Sequence, residues 1–226
     1  MKTDRRAFAA VLAGMPSLVL AQNTAAARPA PIDLDLVKDW IGKAHQRKIE
    51  PMTELLTREP GLIQSSWDWG SGDWESAMQA AAHTGSRDMA LFLIDRGARV
   101  DLFAATMLGE LGLLKTSIET FSGAIHVRGA HGIPLLSHAV AGETPARQVV
   151  DFLLTRGVDV NARHNNGMTA LMIAVQTGQR ETVQLLLGKG ADAKVKASNG
   201  NTALALSLKR GDTAITQALK DAGALD

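Results

Sequence analysis

The sequence has no cysteine and no tyrosine. Without cysteine, neither disulfides nor thiolate zinc sites can hold the fold, and the absence suits any compartment, an oxidising one included. Charge of one sign is also missing, with 24 Lys and Arg against 23 Asp and Glu. Binding a phosphate backbone needs a surplus of basic side chains on one face, so nucleic acid is not the expected partner. The common catalytic signatures are absent as well: there is no Gly-x-Ser-x-Gly, no Ser-x-x-Lys and no His-Glu-x-x-His. Gly70-Ser71-Gly72 lacks both the third glycine and the strand-to-helix setting of a nucleotide loop. His126, His131 and His138 match no standard metal-ligand spacing, and packing accounts for His138 inside a helix. The expectation is therefore no enzyme, no cofactor and no metal.

What is present begins at the N-terminus. Lys2, Arg5 and Arg6 precede an apolar run from Ala7 to Leu20, and small residues follow, Val19 with Ala21 and then Ala25 with Ala27. This basic, apolar, small order is the layout of a secretory signal, and the run is too short to span a bilayer comfortably. Asp4-Arg5-Arg6-Ala7-Phe8 resembles the twin-arginine export motif, with Asp4 where Ser or Thr is usual and Ala9-Ala10 where Leu-Lys is usual. Residues 1–21 are thus expected to be a signal peptide, cleaved after Ala21 or Ala27, and the protein to be periplasmic with no membrane insertion afterwards. Removal of 1–21 takes three of the 24 basic and one of the 23 acidic side chains, leaving 21 and 22. Residues 22–31, rich in Ala and Pro, read as a flexible leader.

From there the chain repeats itself. Asn166-Gly167-x-Thr169-Ala170-Leu171 recurs 33 residues on as Asn199-Gly200-x-Thr202-Ala203-Leu204, and Gly178, Leu186 and Gly190-Ala191 recur as Gly211, Leu219 and Gly223-Ala224. Thr169 and Thr202 suit helix N-caps. Gly178 suits a turn between two helices, and Gly157, Gly190 and Gly223 suit helix ends. The spacing predicts helices near Ala170–Thr177 and Arg180–Leu187. At about two turns each they are too short to stand alone in water, so neighbouring units must cover their apolar faces.

This unit is similar to the ankyrin repeat. Thr169-Ala170-Leu171-Met172-Ile173-Ala174 stands for the family's Thr-Pro-Leu-His-x-Ala, and Leu186-Leu187-Gly188-Lys189-Gly190-Ala191-Asp192 for its Leu-Leu-x-x-Gly-Ala-Asp. The missing Pro and His remove the usual Thr–His hydrogen bond. Earlier copies diverge. Ser76-Ala77-Met78-Gln79-Ala80-Ala81 leads to Gly85. Gly109 then follows after only 24 residues, so one finger has been trimmed, and a unit from Gly132 carries two extra residues around Glu143-Thr144. Leu36, Val37, Trp40, Ile41 and Ala44, then Met52, Leu55 and Leu56, read as a degenerate capping repeat. The resemblance implies an all-α solenoid of stacked helix-turn-helix units with short β-hairpin-like fingers. It covers residues 32–226 in about six units without a second domain.

By analogy with the family, the expected function is that of a non-enzymatic protein–protein interaction module, a scaffold or assembly factor, working as a monomer. Family analogy places the partner on the concave face of fingers and first helices. Those residues are His83, Arg128, His131, Arg163, Asn165, Asn166, Met168, Gln176, Lys196, Asn199, Asn201 and Arg210. Three of the four tryptophans, Trp67, Trp69 and Trp74, crowd one segment. Gly70, Gly72 and Asp73 predict a turn there, with Trp67 and Trp69 on one side of an extended arm by their period of two. Exposed, such rings supply binding hot spots; buried, they fill the junction after the capping unit. Two other functions stay open: an inhibitor or immunity protein for an envelope-acting toxic enzyme, and a small-molecule or metal binder acting through the tryptophan arm and histidines.

Overall fold

The computed structural model describes residues 30–224. The expected signal peptide, most of the expected leader and the last two residues lie outside the described residues.

Twelve α-helices lie among the described residues, and they come in consecutive antiparallel pairs. The pairs are α1 (Leu34–His45) with α2 (Ile49–Arg58), α3 (Ala77–Thr84) with α4 (Arg87–Asp95), and α5 (Leu102–Leu108) with α6 (Leu111–Thr120). There follow α7 (Leu135–Ala141) with α8 (Arg147–Thr155), α9 (Ala170–Thr177) with α10 (Arg180–Gly188), and α11 (Ala203–Arg210) with α12 (Thr213–Asp221). The first helices of successive pairs pack side by side from α1 to α11, and second helices such as α6 with α8 and α10 with α12 meet behind them. Seven to twelve residues per helix is too little for independent stability, and burial of first-helix faces on both sides supplies it. In α9 every residue from Ala170 to Val175 is buried.

Capping residues fix where each helix starts. Thr202 accepts from the Ala205 N–H at 3.1 Å, Asp101 from the Ala104 N–H at 2.8 Å, and Ser76 forms a reciprocal capping box with Gln79. Gly178 ends α9 in the left-handed conformation, at φ 75°, and Gly85 ends α3 at φ 67°. The extra residues near Glu143 form a 3-10 turn, Thr144–Ala146, between α7 and α8.

The fingers differ. The second unit carries a true hairpin, β1 (Ser66–Asp68) antiparallel to β2 (Trp74–Ser76), with Trp67 opposite Glu75 and a turn through Gly70-Ser71-Gly72. The fourth to sixth fingers close with single bridges, Arg128 with Pro134, Arg163 with Thr169 and Lys196 with Thr202. Between α4 and α5 there is no strand or bridge. Two hydrophobic clusters fill the stack, one from Val37 to Leu108 and one from Leu114 to Ala224, and Phe103 packs against both.

Candidate functional site

The missing third finger determines what meets at the fingers. With nothing between them, the second finger reaches the fourth. Asp73, at the tip of the hairpin, accepts from the His131 backbone N–H at 2.6 Å and from its Nδ1 at 2.8 Å. His131 sits in a short turn at φ 58°, which aims its ring back at the hairpin. There it joins His45, the last residue of α1, and His83, near the end of α3.

All three imidazoles converge on Glu75, whose side chain is fully buried. Period-two alternation puts Glu75 on the same face of the hairpin as Trp67 and Trp69. The Trp69 Nε1–H donates to Glu75 Oε2 at 2.6 Å. His83 Nε2 lies 2.8 Å from Glu75 Oε1 and 3.2 Å from His45 Nε2; His45 Nε2 lies 3.3 Å from Oε1, and His131 Nε2 3.4 Å from Oε2. Burial disfavours the charge on Glu75, but hydrogen bonds and positive charge from His45 and His83 outweigh it and hold the carboxyl well below the usual range. Burial likewise opposes charging His45, and the Glu75 hydrogen bond and charge raise its pKa in spite of that. A carboxylate without solvent requires such partners.

The cluster forms one end of a groove of about 450 Å³ that runs along the fingers and first helices. His45, His83 and His131 line it, followed by His164, Asn166 and Met168 from the fifth finger and Ile173, Gln176 and Thr177 from α9. Burial, and then the nearby positive groups His83, Arg128 and His131, lower the pKa of His164 to about 4.

Of the residues expected to bind a partner, His83, His131, Asn166, Met168 and Gln176 line this groove together. Others serve the solenoid itself. The Arg128 guanidinium donates to Gly132 O in its own finger at 2.8 Å and to Arg163 O in the next at 2.7 Å. Arg163 repeats the pattern with Gly167 O and Lys196 O, and Arg210 donates to Gln176 O at 2.9 Å. Asn199 Oδ1 accepts from the Asn201 N–H within its own turn, as Asn166 does from Met168. Asn165 takes its backbone N–H to His131 O, and Lys196, Asn165, Asn199 and Asn201 are exposed outside the groove. The three tryptophans split. Trp67 is half-buried against the first cluster, Trp69 is tied to Glu75, and Trp74, on the opposite face of the hairpin, is 59% exposed.

His45, Glu75 and Asp73 are not among the site residues that the sequence points to. Local spacing could not find them, because the cluster draws one group each from α1, β2, α3 and the fourth finger. Alignment of the units on their helix-ending glycines offers one signal. It sets His83, two before Gly85, beside Gln176, two before Gly178, and Lys209, two before Gly211.

Helix pairs stacked in one row, with fingers along one edge and a groove beneath them, define a repeat protein built as a binding surface. More particularly, residues 134–225 match the family model for ankyrin repeats (3 copies), and that part of the chain is built of ankyrin repeats. No curated protein matches the sequence.

Proposed function

We propose that this chain is an exported, non-enzymatic interaction module of the bacterial periplasm, a scaffold or assembly factor that holds a partner protein in the groove. Ankyrin repeats indicate protein interaction in general. The observation that supports this particular face is the groove lining: Gln176, Met168, Ile173 and Asn166 offer polar and apolar contact side by side, whereas Arg128, Arg163 and Arg210 are spent on carbonyls within the stack. The N-terminal basic, apolar and small-residue order supports export, and no helix among the described residues is long and apolar enough to cross a membrane.

The test compares affinity capture from a periplasmic extract by the native chain, by Met168→Glu/Gln176→Arg and by Lys189→Glu, an exposed position just after α10 that does not line the groove. One partner kept by Lys189→Glu and lost with the double variant supports the reading. Partner sets that do not differ among the three would overturn it. Activity of a captured enzyme separates scaffold from inhibitor: a scaffold leaves it intact. Export is checked by N-terminal sequencing of the periplasmic form, expected to begin at Gln22 or Arg28.

A further inference from the structure

The convergence of His45, His83, His131 and Glu75 has a chemistry that partner binding does not use. We propose that these four residues form a binding site for a divalent transition metal of the zinc class, with Nε2 of each histidine and Oε1 of Glu75 as the ligand atoms.

The four groups each offer a ligand atom, all within 4.8 Å of one another. A tetrahedral zinc site with bonds of about 2.0–2.1 Å has ligand-to-ligand edges of about 3.3 Å. The separations of 2.8, 3.2 and 3.3 Å among Oε1, His83 Nε2 and His45 Nε2 are close to that edge. The outer atoms are already committed in the way metal sites require. The His45 Nδ1 lies 3.0 Å from the Ile41 carbonyl, which only accepts, so Nδ1 keeps its proton and Nε2, turned inward, is the nitrogen that a metal would take in place of a proton. The His131 Nδ1 donates to Asp73, a carboxylate–histidine arrangement that fixes the ring and strengthens Nε2 as a ligand. Trp69 holds Glu75 Oε2, leaving Oε1 turned to His83 and His45. The His83 Nε2 lies within hydrogen-bond distance of Oε1; on metal binding any proton on Nε2 passes to solvent and Nδ1 holds the one proton of the neutral ring, taking it from solvent where it has none. Three neutral imidazoles and one carboxylate suit a borderline dication, because imidazole favours zinc, copper and nickel over magnesium or calcium. The groove lined by the three rings supplies a path in from solvent.

A simpler role for the same residues is a buried carboxylate neutralised by imidazolium, with no ion. The two are separated by titrating the untagged, chelator-treated chain with Zn²⁺ by calorimetry and with Co²⁺ by visible absorption. One Zn²⁺ per chain, a raised Tm and the absorption of four-coordinate Co²⁺ are expected. Cu²⁺ should quench the fluorescence of Trp69, whose ring centroid lies 6.0 Å from that of His45. His83→Gln and His131→Gln, which leave a hydrogen-bonding amide beside Glu75, should each weaken Zn²⁺ binding by at least about 100-fold. Asp73→Asn should weaken it by about 10- to 100-fold, as loss of an outer-shell partner does. His126→Gln should leave it unchanged. Absence of stoichiometric Zn²⁺ uptake by the native chain, or uptake that survives His83→Gln and His131→Gln combined, would overturn the proposal. Partner capture is read separately and does not depend on either result.

Discussion

His138 lies in the middle of α7, and its ring is buried to 1% exposure against Phe103. Neither ring nitrogen finds a hydrogen-bond partner among the described residues. Burial, and after it the charge of His83, lowers its pKa to about 3. An unfolded chain takes up a proton near pH 6.5 that the folded chain refuses until about pH 3, so this residue costs stability as pH falls through that window and nothing above it. The slope is about 1.4 kcal/mol per pH unit. His138→Leu removes the titration and keeps the volume. In urea unfolding the variant should gain on the native chain by about 1–2 kcal/mol between pH 6.5 and pH 5, with a constant difference above pH 7.5. A difference that stays flat with pH would mean that His138 reaches solvent or a proton acceptor when folded. Packing is thus the right account of His138, and its cost is paid at acid pH.

Among the helices, what the sequence made legible was whatever repeats. The expected helix Ala170–Thr177 matches α9, and the expected Arg180–Leu187 ends one residue short of α10. Thr caps, αL glycines and the 33-residue period all act within a few residues, so they show in one chain. The finger of the second unit was legible as a turn with Trp67 and Trp69 on one side, and period two carries that through to Glu75. What was not legible was pairing across units. Nothing local says that Asp73 meets His131, or that arginines in two fingers donate to the carbonyls of the next. Shortening of the third unit is also felt at the helix ends. With α5 only seven residues long, α3 touches α7, and Gly85 lies against the Ala141 backbone. A Cβ at Gly85 would run into the Ala141 carbonyl, and its φ of 67° is left-handed. Gly85→Ala should therefore destabilise by about 2–4 kcal/mol, strain and overpacking acting together. Gly97→Ala, with an equally left-handed φ of 84° but open space around the added methyl, serves as the comparison and should cost about 1 kcal/mol. Equal losses in chemical denaturation would show that conformation alone matters and that α3 and α7 do not press on each other.

In a regular solenoid each unit touches only its neighbours, so stability is a sum of unit and nearest-interface terms and the ends fray first. Among the described residues this chain departs from that rule where the second and fourth units meet over the trimmed third, with His45 of the first unit also reaching His131. The α3–α7 contact and the Asp73–His131 pair tie the hydrophobic cluster of the first units to that of the last, 58 residues apart in sequence. A physical consequence is that the two fingers open together. Asp73→Ala removes two hydrogen bonds made by a charged acceptor, about 1.5–3 kcal/mol in sum when partly exposed. In native-state hydrogen exchange, the variant should lose protection in residues 66–76 and in 129–134 by the same factor, while amides of α9 and α10 keep theirs. Loss confined to the hairpin would mean that the fourth finger is held by its own unit and by Arg128 alone. The groove would then be built on independent parts, and a partner seated across it would have to supply the coupling that this fold otherwise provides before binding.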